Sequence, residues 1–169
     1  MGDGDKFSFA AITDARTRVL ILGSLPGEVS LSRAQYYAHP QNQFWRLMAA
    51  VTGQALVVAP YAERLAMLLA AGVGLWDVIR SAERTGSLDA NIRSHVPHAL
   101  DEFTASLPAL RAVGFNGAKA SQIGRSQLDA KRGLALITLP SSSPAHAVPF
   151  ERKLAGWTPL RDFLAPQSP

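Results

Sequence analysis

Three short stretches and one isolated acid carry side chains able to do chemistry on a ligand. The first stretch is Gly23-Ser24-Leu25-Pro26-Gly27, directly after the apolar run Val19–Leu22. Two glycines around a proline let backbone amides come close to a bound group. The loop lacks the Gly-Lys-Ser/Thr ending of a P-loop and the Gly-x-Gly-x-x-Gly spacing of a dinucleotide fingerprint. An ordinary strand-to-loop turn uses the same residues. The second stretch is Tyr36-Tyr37-Ala38-His39-Pro40-Gln41-Asn42-Gln43-Phe44-Trp45. Exposed tyrosines stack on bases, at roughly 1–3 kcal/mol per base in single-strand binders. One of the two is expected in the core instead. Asn42 either caps a helix starting at Phe44 or hydrogen-bonds a water or a base edge. Phe44 and Trp45 read as core.

The third stretch is Pro140-Ser141-Ser142-Ser143-Pro144-Ala145-His146. Adjacent hydroxyls and amides in a loop suit phosphate gripping. A serine-hydrolase reading is disfavoured because the Gly-x-Ser-x-Gly elbow is missing. The isolated acid is Asp77, set in the apolar run Val73–Ile79. A buried carboxylate is costly unless it is paired or hydrogen-bonded. It either caps a nearby loop, pairs with Arg80, or reads a ligand. In ionised form it accepts hydrogen bonds only, which selects an edge bearing an N–H. His95-x-x-His98 has Pro97 inside it and no third ligand nearby, so no metal is expected.

Elements must position these groups. Val19–Leu22, Val73–Ile79, Ala112–Phe115 and Leu134–Leu139 read as buried strands. Phe44–Val51, Tyr61–Ala71, Pro97–Ser106, Ala118–Gln127 and Pro149–Leu164 (interrupted at Pro159) read as helical, with Gly53 and Gly72 as stops. Strands alternating with helices predict an α/β, three-layer α/β/α architecture around a mostly parallel sheet. In such sheets, sites form at the carboxyl ends of the strands. The strands end at Gly23–Gly27, near Asp77, at Asn116-Gly117 and at Pro140–Pro144, so all four converge on one edge.

The chain has 169 residues, which predicts one domain over 1–169. Its 47% hydrophobic and 18% charged residues are those of an ordinary globular protein. No cysteine is present, which excludes disulfides, thiolate zinc sites and iron–sulfur clusters. No apolar run reaches the length of a membrane span, and the first residues lack the pattern of a signal peptide. The net charge of +4 permits a polyanionic partner without demanding one.

Taken in order, these stretches resemble the uracil-DNA glycosylase superfamily over about residues 18–146. The Gly-Ser-Leu-Pro-Gly form is similar to its hypoxanthine-DNA glycosylase (DNA-deoxyinosine glycosylase) branch. The His-Pro-x-Asn-x-Phe-Trp segment and Phe115-Asn116-Gly117 are similar to the mismatch-specific uracil/thymine glycosylases. The resemblance implies a central four-stranded parallel sheet. It implies base-excision repair by hydrolysis of the N-glycosidic bond of a deaminated base flipped out of DNA. It implies no metal or organic cofactor, DNA as partner, no membrane, a monomer, and a cytoplasmic location beside the nucleoid. It makes Asn42 the catalytic residue. Ser24, Leu25, Tyr37 and Asp77 would bind the base. Ser141, Ser142, Ser143, Pro144, Ala145 and His146 would bind DNA, with the inserted tip within Ser143–His146. Two departures stand out: Leu25 where many members carry Asp or Asn, and Leu139 where many carry His. They keep open the alternative of a non-catalytic module that binds damaged DNA or a nucleobase.

Overall fold

The computed structural model describes residues 4–128 and 133–165. Its strands are β1 (Lys6–Phe7), β2 (Val19–Gly23), β3 (Val73–Asp77), β4 (Ile79–Glu83), β5 (Arg93–Pro97), β6 (Ala112–Asn116) and β7 (Ala135–Leu139). Its helices are α1 (Glu28–Arg33), α2 (Phe44–Thr52), α3 (Tyr61–Ala70), α4 (Leu100–Ala105), α5 (Ala118–Arg125), α6 (Phe150–Trp157) and α7 (Arg161–Leu164).

The main sheet has the order β3-β2-β6-β7, and every neighbouring pair is parallel. Side chains alternate across a strand, so the unbroken apolar run of β2 requires cover on both faces. Val19 and Ile21 join a cluster with Phe44, Leu47 and Met48 of α2, Leu68 of α3 and Trp157 of α6. Leu20 and Leu22 join a second cluster with Phe115, Leu100 of α4 and Ala120 of α5. The three layers expected from the sequence are present, with the four expected strands at their centre.

Three elements differ from expectation. The run Val73–Ile79 is not one strand. β3 ends at Asp77, and from Ile79 the chain enters a second, antiparallel sheet of order β1-β4-β5. An apolar run has no periodicity with which to mark such a break. The segment from Pro97 was expected to be helical, but Pro97 closes the exposed edge strand β5 and the helix begins only at Leu100. Proline is tolerated at such an edge. The six-residue α1 was not expected. Its sequence, EVSLSR, carries no apolar stripe long enough to read.

The loop after β7 is seated on α6. Trp157 Nε1 donates to the Pro140 carbonyl at 2.8 Å. Gly156 lies against the Pro140 ring, where a Cβ would stand 2.5 Å from Cγ and Cδ. Gly156→Ala should therefore cost about 1–2 kcal/mol, since overpacking outweighs the gain in helix propensity. Urea denaturation of variant and parent measures it.

Candidate active site

The carboxyl ends of β2, β3, β6 and β7 bring the sequence-predicted stretches onto one edge. Four bonds join them. Val78 N–H donates to the Gly23 carbonyl and Ile79 N–H to the Ser24 carbonyl, holding the first loop beside the end of β3. Asn116 and Ser142 bond reciprocally: Asn116 Nδ2 donates to Ser142 Oγ at 2.9 Å, and Ser142 N–H donates to Asn116 Oδ1 at 2.9 Å. Two further bonds hold the Ser-rich loop. Gln43 N–H donates to the Ser142 carbonyl at 3.0 Å. Lys153 Nζ, almost fully buried, donates to the Ser143 carbonyl at 3.0 Å.

The first loop is clamped from beneath by Arg84, which is 1% exposed. Its guanidinium donates to the carbonyls of Leu25, Pro26 and Gly86. Ser24 Oγ donates to Asp89 Oδ1 at 2.6 Å. Burial raises the Asp89 carboxyl, opposed by that hydrogen bond and by Arg84 and Lys119. Gly23 has a spatial rather than a conformational role. A Cβ there would meet Asp77 Oδ1 at 2.6 Å and the Tyr37 hydroxyl at 3.1 Å. The bare Cα makes room for both.

Asp77 is 4% exposed and its Oδ2 receives no hydrogen bond. Desolvation, then the neighbouring Asp89, pushes its carboxyl up to about 7, and Arg84 pulls the other way. Its surroundings therefore favour the neutral acid over the ionised form whose hydrogen bonding was considered from sequence. Of the alternatives open from sequence, pairing with Arg80 is not seen among the described residues, and the nearby cation is Arg84.

Tyr36 is the core tyrosine of the pair, its hydroxyl on the Ala10 carbonyl at 3.0 Å. Tyr37 is half-buried. Its ring stacks on Phe44 at 3.9 Å and 19°, so a base can stack only on its other face. Its hydroxyl is enclosed near Asn116 without a hydrogen bond of proper geometry, and burial pushes it well above the usual phenol range. Tyr37 also has φ 54°, a left-handed conformation that costs a bulky residue of order 1–3 kcal/mol. Trp45 Nε1 on the Tyr37 carbonyl and Ser30 Oγ on the Ala38 N–H hold it there.

Asn42 does what a turn residue does: its Oδ1 accepts from Phe44 N–H at 3.0 Å. That leaves its Nδ2 as the end free for a ligand. With Tyr37 and Gln43, Asn42 lines a cleft of about 670 Å³ that Tyr61 and Arg64 also line.

Two expected contact residues are placed otherwise. The Leu25 side chain turns into the apolar cluster beneath the loop, leaving only its backbone for the site. Ser142 is 1% exposed and all its polar atoms are engaged inside the protein, so it cannot face a phosphate. Ser141 and Ser143 are half-buried, and Pro144, Ala145 and His146 form the exposed tip. The sequence reading missed Arg84, Asp89, Lys153 and the role of Asn116. Only Asn116, in Asn-Gly at a strand end, carried a local signal. His98 is stacked on Trp76 at 3.9 Å with its Nε2 on Ser8 Oγ at 2.7 Å, remote from any ligand set.

A three-layer sheet whose carboxyl edge gathers the glycine loop, Asp77, Asn116 and the Ser-rich loop defines a class, and comparison with known proteins names it. The model of the uracil DNA glycosylase superfamily matches residues 10–162, and the chain belongs to that family. A hypoxanthine DNA glycosylase of Methanosarcina barkeri is 36% identical, over 90% of this chain and 95% of its own. One of Methanosarcina acetivorans is 38% identical, over 83% and 88%. A solution NMR structure from Methanosarcina acetivorans, described as a candidate uracil DNA glycosylase, superposes with a TM-score of 0.84. It has 34% identity and covers 95% of this chain and 99% of that one.

Two expectations follow from the buried charges. Arg84→Met leaves the Leu25 and Pro26 carbonyls without donors and should cost about 2–4 kcal/mol in urea denaturation. Asp77 has a folded pKa raised above its unfolded value, so its stabilising contribution is complete below about pH 4 and is lost as pH rises through about 7. Asp77→Asn should accordingly gain Tm relative to the parent at pH 8 but not at pH 4, read by thermal melts across that range.

Proposed function

We propose that this protein is a monofunctional DNA glycosylase that excises a deaminated base, hypoxanthine foremost, from a flipped nucleotide. One observation carries the reading. Asn42 lines the cleft that Tyr37 also lines, its Oδ1 is fixed by Phe44 N–H, and its Nδ2 has no hydrogen-bond partner among the described residues. The relatives named hypoxanthine DNA glycosylase, matched over nearly their whole length, support the same substrate.

The reaction breaks the bond from C1′ to the base nitrogen, and both electrons leave with the base. Water adds to C1′, and the proton it loses goes to the departing base, giving free base and an abasic sugar. The charge that must be stabilised develops on the base. Of the two roles open to Asn42, donation from Nδ2 to that base is favoured over orienting the water, because one lone pair of Oδ1 is already taken. Tyr37 stacks on the base with the ring face not covered by Phe44. The N–H groups of Ser24 and Leu25, which donate to no described residue, support the base or the water. Asp77 reads the base edge. The tip Pro144–His146, carried on a loop held by Lys153, Trp157 and Asn116, fills the space the base vacates.

Asn42→Ala should lower single-turnover excision from inosine-containing DNA at least about 100-fold, the usual cost of removing one donor to developing charge. DNA affinity should survive. Abasic-site formation on a gel, over hypoxanthine, uracil and xanthine in single and paired strands, measures the first. Fluorescence anisotropy measures the second. Unchanged excision removes Asn42 from the mechanism. Binding without excision by the parent favours the damaged-DNA-binding module instead.

A further inference from the structure

The carboxyl of Asp77 is enclosed without the partners a carboxylate needs. Its Oδ2 has no donor. Four groups approach it. Arg84, following β4, is the one cation among them, and its N–H groups are directed to three backbone carbonyls. Asp89, from the turn before β5, is a second carboxyl and already accepts the Ser24 hydroxyl. The Tyr37 hydroxyl, from the loop before α2, shares with Asp77 the space above Gly23. The Tyr36 ring lies behind Tyr37. An ionised group in this setting would be a desolvated anion beside another acid.

Resting on the glycosylase reading, we infer that Asp77 works as a carboxylic acid, whose O–H and carbonyl oxygen together read a base edge that sets an N–H beside a carbonyl oxygen. The N1–H and O6 of hypoxanthine form such an edge, as do the N3–H and O4 of uracil. The acid's carbonyl oxygen accepts the N–H, and its O–H donates to the base oxygen. An ionised carboxylate would satisfy the N–H and repel the oxygen beside it. The difference grows during reaction. The base leaves with the bonding electrons, part of that charge falls on its exocyclic oxygen, and a hydrogen bond from Asp77 strengthens as it does. A fixed anion at the same place would oppose the step. The proton stays on Asp77 throughout, so the stoichiometry of hydrolysis is unchanged. Asp77 in this form presents the donor and acceptor of an asparagine amide.

The test compares the parent, Asp77→Asn and Asp77→Ala in single-turnover excision from inosine-containing DNA between pH 5.5 and 9. The parent should lose about tenfold in rate for each pH unit above about 7. Asp77→Asn, which keeps one donor and one acceptor, should be active and lack that limb. Asp77→Ala should be slow at every pH. Other titrating groups remain in Asp77→Asn, so the difference isolates Asp77. A parent rate that is flat or rising over this range, or the same limb in Asp77→Asn, overturns the proposal. Carbon-13 NMR of aspartate-labelled protein provides a readout without turnover, with the Asp77 signal assigned by its loss in Asp77→Asn. A carboxyl that holds its proton to near neutrality supports the proposal, and one already ionised at pH 5.5 overturns it, whatever the glycosylase reading's fate. Absence of abasic sites from the parent at every pH and on every lesion overturns that reading, and this role with it.

Discussion

The reciprocal hydrogen bonds between Asn116 and Ser142 set the geometry on which the carboxyl edge of the sheet depends. They fix the end of β6 against the loop that leaves β7, and the Gln43 N–H on the Ser142 carbonyl draws the start of α2 to the same residue. Three segments distant in the chain are thus tied through one buried serine. Each of these polar atoms would cost about 1–3 kcal/mol if left buried and unpaired, so the arrangement is all or none. Lys153 and Trp157 extend it from α6, binding the carbonyls on either side of the knot. The exposed tip Pro144–His146 therefore rises from a base held by hydrogen bonds from β6, α2 and α6.

The small antiparallel sheet serves the opposite side of the site. It delivers Arg84 beneath the first loop and Asp89 beside Ser24. Arg84 has no ion pair of hydrogen-bonding geometry among the described residues. Its charge answers backbone carbonyls, and this keeps the loop in shape while leaving Asp77 Oδ2 without a partner among the described residues. Burial of a cation is tolerable when its donors are satisfied in this way. The arrangement gives the fold a loop anchored by an apolar side chain (Leu25) and by a buried hydroxyl (Ser24) bonded to Asp89.

Much of this was legible in the residues. The four central strands could be read because each is a short apolar run closed by Gly, Asn or Pro, and their parallel order follows from the helices between them. Asn42, Tyr37 and Asp77 could be singled out because each breaks the pattern around it. The second sheet could not be read: β4 continues an apolar run without a boundary, and β5 is exposed along its whole length, so neither shows a period. Arg84 and Asp89 lie in that stretch and look like solvated charges. Ser142 could not be told from Ser141 and Ser143, because only the fold decides which of three identical side chains turns inward. The glycines of the first loop were read as openings for a ligand, whereas Gly23 makes room for the protein's own acid.

That last contact joins two positions far apart in the chain into a single unit of inheritance. With the carboxyl of Asp77 lodged over the Gly23 Cα, a larger residue at 23 has no place unless the side chain at 77 shortens or withdraws. Each position restricts what the other can become: a different side chain at 77 must leave the glycine in place or change together with it. The glycine that opens the loop is thus best understood as one wall of the space in which the acid is lodged.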